Sequence, residues 1–161
     1  MRPAAGQGGS TRVGVISDTH GLLRPEAVDR LAGVDRILHA GDIGRAEVVD
    51  GLRRIAPVDA IRGNVDAGAW AAAYPETLTV AIDGRRIHLV HALEWLRIDP
   101  ASVDVVVSGH SHKPGVATRA GVLYLNPGSA GPRRFRLPVS VAILEVGEDG
   151  VQATILDLGA R

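Results

Sequence analysis

Seven side chains able to hold a metal ion recur along this chain in a regular way: Asp18, His20, Asp42, Asn64, His91, His110 and His112. Asp18 and His20 stand two residues apart, as do His110 and His112, while Asp42 and Asn64 each follow a glycine. A glycine there lets the backbone turn sharply and approach an ion closely. Mixed carboxylate, amide and imidazole donors suit a pair of hard to borderline divalent ions, and a carboxylate among them can bridge the two. Taken singly, each residue has a duller explanation. Asp18 can cap a turn or helix, Asn64 can serve a left-handed turn, and a half-buried histidine is commonly just hydrogen-bonded. The joint pattern is what points to a metal site.

Five apolar runs carry these residues. Residues 12–17 run into Asp18, 35–41 into Asp42, 58–63 into Asn64, 86–90 into His91, and 103–109 into His110. Short β-rich runs bounded by glycine and polar residues read as strands, and in open sheets ligands bind beyond the carboxyl ends of the strands. All seven donors are therefore expected on one rim. Between the early strands, residues 25–31 and 46–54 read as helices, the first opening with Pro25 and Glu26 and the second carrying Val48, Val49 and Leu52 on one face. Strands alternating with helices imply parallel pairing through crossovers. The pattern then changes to hairpins. Runs 76–82 and 85–90 meet at Asp83-Gly84, a short helix is expected within 92–98, and strands follow at 116–118, 122–125, 139–146 and 151–156. The expected fold is α/β, with two packed mixed β-sheets flanked by helices.

Size and composition narrow the partners. The 161 residues carry 18 basic and 18 acidic side chains, so no overall charge draws the chain to nucleic acid or an anionic membrane. Two Trp, two Tyr and one Phe are too few for a base-stacking platform, and no apolar stretch approaches membrane-spanning length. The lack of cysteine removes disulfides, thiolate ligands and thiol nucleophiles, and fits a cytoplasmic protein. Residues 1–10, rich in Gly and Ala, are set aside as a flexible extension, leaving 11–161 as a single domain.

Asp18-Thr19-His20-Gly21, Gly41-Asp42, Gly63-Asn64-Val65-Asp66, His91 and Gly109-His110-Ser111-His112 stand in the order seen in the calcineurin-like metallophosphoesterases, which the chain resembles over residues 12–156. The short length and Asn126-Pro127-Gly128-Ser129 resemble the small bacterial and archaeal phosphodiesterase branch. The resemblance implies a four-layer αββα sandwich holding two divalent ions. Asp18, His20, Asp42 and His112 would hold one, Asn64, His91 and His110 the second, with Asp42 bridging. It further implies that Asp42, Asn64 and His91 serve catalysis through a bridging hydroxide that attacks the phosphorus of a small-molecule phosphoester, most readily a diester. Imidazole-rich ligation favours Mn first, then Ni, Fe or Zn, over Mg. The alternative the superfamily offers is a non-catalytic scaffold of the same fold, as in its retromer subunit.

Other residues carry subsidiary expectations. Many superfamily members place a proton-donating His directly after the Asn ligand; here that residue is Val65, which favours esters with activated, aryl-type leaving groups. His39 is expected to pack behind the site and orient a ligand, and His88 to face solvent on the opposite side of its strand from His91. Arg133, in Arg133-Arg134-Phe135-Arg136, is the candidate substrate-phosphate contact. Residues 126–129 form either a plain turn or a support behind the site. Trp70 and Tyr74 either edge the pocket or pack under a loop, and the Trp70 segment or an open strand edge leaves room for a homodimer.

Overall fold

The computed structural model describes residues 10–134 and 136–159. The extension therefore lies, save for Ser10, outside the described residues, as does Phe135. Strands form at β1 (Thr11–Ile16), β2 (Arg36–His39), β3 (Val58–Ala60), β4 (Thr77–Ile82), β5 (Arg85–Val90), β6 (Val105–Val107), β7 (Gly115–Arg119), β8 (Val122–Asn126), β9 (Ser140–Gly147) and β10 (Gly150–Asp157), with helices α1 (Pro25–Leu31) and α2 (Ala46–Arg53). They build two five-stranded sheets, ordered β10-β9-β1-β2-β3 and β4-β5-β6-β8-β7. β1, β2 and β3 run parallel, as do β5, β6 and β8; the hairpins β4–β5, β7–β8 and β9–β10 are antiparallel. Both sheets are thus mixed. β1, β2 and β3 of one sheet and β5 and β6 of the other end where the candidate ligands begin.

The period-2 alternation of β1 shows how the layers are held. Val13 and Val15 face the second sheet, joining Leu38, Ile87, Leu89, Val105, Val107 and Leu125 in the core between the sheets. Ile16 faces outward instead, onto Leu31 of α1 and Val49 and Leu52 of α2. These side chains are almost wholly buried, and each contributes about 1.5–3 kcal/mol by leaving water. With both faces covered, a slip of one residue would invert every side chain, so the register that aims the strand ends is strongly specified.

The outer face of the second sheet carries no α-helix among the described residues. A 3-10 turn, Leu93–Trp95, stands where a short helix was expected, a second follows at Pro100–Ser102, and Leu96, Ile98 and Val103 pack onto Val90 and Val106. This cover corrects the expectation for His88. It does lie on the opposite face from His91, but only 3% of it is exposed, and its Nδ1 sits 2.7 Å from Thr79 Oγ1. Alternation along a strand assigns the face; only the neighbouring loop decides whether that face is wet.

Candidate metal centre

The parallel pairing of β1 and β2 continues past the strand ends. Ala40 donates to the Ile16 carbonyl, Asp18 to Gly41, His20 to Asp42 and Gly21 to Ile43, so the two ligand-bearing loops are zipped together. On the other sheet, the Gly109 N–H donates to the His91 carbonyl, joining the ends of β5 and β6. The loops do not stay extended. Asp18, His20, Asp42, His110 and His112 all adopt positive φ, between 47° and 71°. Asp18 and His20 therefore converge through left-handed turns, not through the strand alternation their spacing suggests. Left-handed backbone costs a non-glycine residue about 1–3 kcal/mol and persists where surrounding contacts over-determine it, typically at functional sites.

Six of the seven candidate residues meet in two adjoining clusters, Asp18–His20–His112 and Asp42–His91–His110, each with its donor atoms within 4.8 Å of one another. Asp18 Oδ1 stands 3.4 Å from His112 Nε2, 3.8 Å from His91 Nε2 and 3.9 Å from His20 Nε2. Asp42 Oδ2 stands 3.2 Å from His91 Nε2 in one cluster and 3.8 Å from His20 Nε2 in the other, so its carboxylate lies between them. Donors bound to one ion at about 2.1 Å stand roughly 3.0–3.4 Å apart, so these separations are close to those of a ligand ring. Asn64 is exposed in the turn beside Asp42. On one side of it the Val65 N–H donates to Asp42 Oδ1; on the other, a Cβ on Gly63 would fall 2.9 Å from Asp42 Cγ.

Each carboxylate divides its two oxygens between protein and centre. Asp18 Oδ2 accepts from Ser17 Oγ at 2.8 Å and the His110 N–H at 3.0 Å, whereas Asp18 Oδ1 is buried without a hydrogen-bond partner. His91 Nδ1–H donates to the Ala40 carbonyl at 2.8 Å, which fixes the tautomer and leaves Nε2 as a buried, unpartnered lone pair. His112 Nδ1 is also buried and unpartnered. Orphaned buried polar atoms cost about 1–3 kcal/mol each; Asp18 Oδ1 and His91 Nε2, 3.8 Å apart, are two such atoms facing one space, as a cation-binding site requires, whereas His112 faces the centre through Nε2. The residues therefore fit a divalent ion.

The electrostatics follow from the same proximity. Burial works against the charge of Asp18, yet His112 and His91 more than offset it, holding the carboxyl below its usual range. Asp42 is likewise lowered, with burial outweighed by His91 and the Val65 N–H. His91 is raised, because the Asp42 carboxylate, the Ala40 carbonyl and Asp18 overcome burial. His20 is lowered by burial despite Asp42 and Asp18, and the Arg134 guanidinium adds to the lowering. Arg133 and Arg134 are both exposed.

Behind the ligands lies a supporting layer. His39 is fully buried; its Nδ1 accepts from the Gly41 N–H at 3.1 Å and its Nε2–H faces Thr19 Oγ1 at 3.0 Å, whose own proton goes to the Ile43 carbonyl. That arrangement requires a neutral ring, and burial pushes its pKa down to about 4. The 126–129 loop also supports the site. Asn126 Nδ2 donates to the Gly109 carbonyl and Ser111 Oγ, each at 3.1 Å, and Ser129 Oγ donates to the Asp18 carbonyl at 3.0 Å. Trp70 and Tyr74 are partly buried and pack against the core cluster that α1 and α2 also join. Asp66, to which no role was assigned from sequence, accepts three backbone N–H bonds: from Ile43 at 3.0 Å, and from Gly44 and Gly63 at 2.9 Å. Its place two residues past Asn64 was the available signal.

Fold and centre together define a two-sheet α/β sandwich protein with paired His–carboxylate clusters at one rim. The chain belongs to the calcineurin-like phosphoesterase superfamily: residues 11–149 match the profile of that superfamily domain. It is 34% identical to a probable metallophosphoesterase of Methanothermobacter thermautotrophicus, over 92% of this chain and 93% of that protein. Among solved structures, an archaeal phosphodiesterase superposes with a TM-score of 0.75 at 23% identity, covering 91% of this chain and all (100%) of the other. Vacuolar protein sorting 29 from Cryptosporidium parvum superposes with a TM-score of 0.74 at 22% identity, covering 92% and 98%. At those identities the structural matches speak to the fold.

Proposed function

We propose that this protein is a phosphodiesterase working with two divalent ions. Asp18, His20, Asp42 and His112 hold one ion; Asp42, Asn64, His91 and His110 hold the other. The observation that supports the reading is the Asp42 carboxylate lying between two clusters in which Asp18 Oδ1 and His91 Nε2 are buried without hydrogen-bond partners. When bound, the ions supply the Lewis acidity that activates water and offsets charge on phosphoryl oxygens. The chain's own part is placement. Ser17 and the His110 N–H hold Asp18, the Val65 N–H holds Asp42, and the Ala40 carbonyl holds His91. Arg133, which is exposed, supplies a guanidinium for the substrate's phosphate. In the net reaction a water oxygen bonds to phosphorus, the ester P–O bond breaks, and a proton goes to the leaving oxygen. Val65 stands half exposed next to Asn64 and has no proton to give, so leaving groups stable as anions are favoured.

The superfamily membership and the likeness to a phosphodiesterase fold support this reading. A scaffold role is the rival, supported by the likeness to a vacuolar sorting protein. The deciding experiment is hydrolysis of bis(p-nitrophenyl) phosphate, with mono- and dialkyl esters alongside, in Mn, Ni, Fe or Zn and after chelation, with Asp42→Asn as the inactive control. Metal-dependent turnover, faster on aryl than alkyl diesters, is expected. A protein that binds two ions yet cleaves none of these esters is a scaffold.

A further inference from the structure

Close to the candidate ligands in sequence stand exposed apolar side chains with no ligand role. Leu22, Val65, Leu93 and Trp95 are large apolar side chains between 38% and 49% exposed, and each follows a candidate ligand by at most four positions. Trp95 is the most telling. Its ring lies 6.1 Å from that of His91 and 5.3 Å from that of His110, centroid to centroid, so the indole stands directly against two donors of one cluster. A 3-10 turn holds it there, its N–H donating to the Ala92 carbonyl one residue beyond His91. Val65 flanks the same cluster, since its N–H is on the Asp42 carboxylate.

We infer that Trp95 and Val65 form a subsite for a flat, unsaturated group carried on one ester oxygen of the substrate, making the substrate an aryl- or nucleobase-bearing phosphoester. This rests on the phosphoesterase reading and adds to it. An indole with an open face offers a ring a stacking or edge-on partner and also excludes water from the reacting centre. Because the indole touches the donor imidazoles themselves, a group lying on it is within reach of the phosphorus it is attached to.

The test is calorimetric titration of the Zn-loaded protein with phenylphosphonate, a nucleoside monophosphate and methylphosphonate, none requiring turnover. Phenylphosphonate, the nucleotide or both should bind roughly five- to tenfold more tightly than methylphosphonate. Which of the two does so distinguishes an aryl from a nucleobase substrate. Trp95→Ala should erase the preference and Trp95→Phe keep most of it, with methylphosphonate affinity unchanged in both. A preference that survives Trp95→Ala, or an equal loss for all three ligands, overturns the subsite while leaving the phosphoesterase reading in place. Failure of all three to bind the metal-loaded protein overturns both. A concentration-dependent dimer that blue-shifts Trp95 emission would show a second copy on this patch, and would also overturn the subsite.

Discussion

Replacing Asp66 by Asn probes whether the centre is built by its ligands or by the loops behind them. The carboxylate of Asp66 is nearly buried, 9% exposed, and ties the residues after Asp42 to the residue before Asn64. Its Oδ2 accepts from Ile43 and Gly63, and its Oδ1 accepts from Gly44. An asparagine of the same shape can keep its oxygen at the first position, but its NH2 then confronts the Gly44 N–H, donor against donor. One unsatisfied donor costs about 1–3 kcal/mol, and loss of charge assistance weakens the two remaining bonds. A total of about 2–4 kcal/mol follows, equivalent in a chain of this size to a fall in Tm of roughly 5–15 °C. The metal should feel it too. Groups that orient ligands typically change affinity by about 10–100-fold, and here the loss should fall mainly on the Asp42–His91–His110 cluster. Scanning calorimetry in chelator gives the first quantity; titration with Mn followed by electron paramagnetic resonance gives the second. Asp66→Asn with a Tm within about 1 °C of the parent and unchanged affinity at both positions would refute the idea that backbone positioning through Asp66 shapes the site.

Asp42→Asn should weaken both ions, by at least about 100-fold, whereas Ser17→Ala, which frees only Asp18 Oδ2, should act mainly on the Asp18 cluster; calorimetric stoichiometry checks this, and one ion retained at native affinity in Asp42→Asn would contradict the bridging role. Gly41→Ala should cost about 2–4 kcal/mol, because φ there is +103° and a Cβ would lie 2.7 Å from His91 Nδ1, displacing the ring from the Ala40 carbonyl. Gly33→Ala, also at positive φ but with nothing within 4 Å, isolates the backbone part at about 1–2 kcal/mol, and equal unfolding free energies for the two variants would count against the steric account. The chelated protein should be most stable near pH 6.5. His39, with its pKa lowered to about 4, contributes stability that is present above its unfolded value of 6.5 and is lost as pH falls toward 4. His91 is raised, so its contribution is full below 6.5 and is lost as pH rises through its folded value. Adding metal should lift the alkaline side, since the ion needs neutral His91; a pH-independent Tm in chelator would be the contrary result.

The amino-acid order by itself determined the strands, their alternating faces and the donors that end them. Those features rest on local chemistry: β-branched runs, the period of two, and glycine beside Asp42 and Asn64. The Asp83-Gly84 hairpin and the buried place of His39 behind the site were also legible. What lay beyond it were facts about distance across the fold. The left-handed turns at Asp18 and His20 come from backbone bonds to Gly41 and Asp42, more than twenty residues away, not from their own spacing. His88 is dry because a later loop covers its face, and Trp95 meets His110 because β5 and β6 are neighbours. Asp66 matters through three N–H groups, two of which lie in a different loop. Residue type sets which chemistry is possible, whereas long-range packing sets which oxygen of Asp18 or Asp42 is spent on the protein and which is left for the ion.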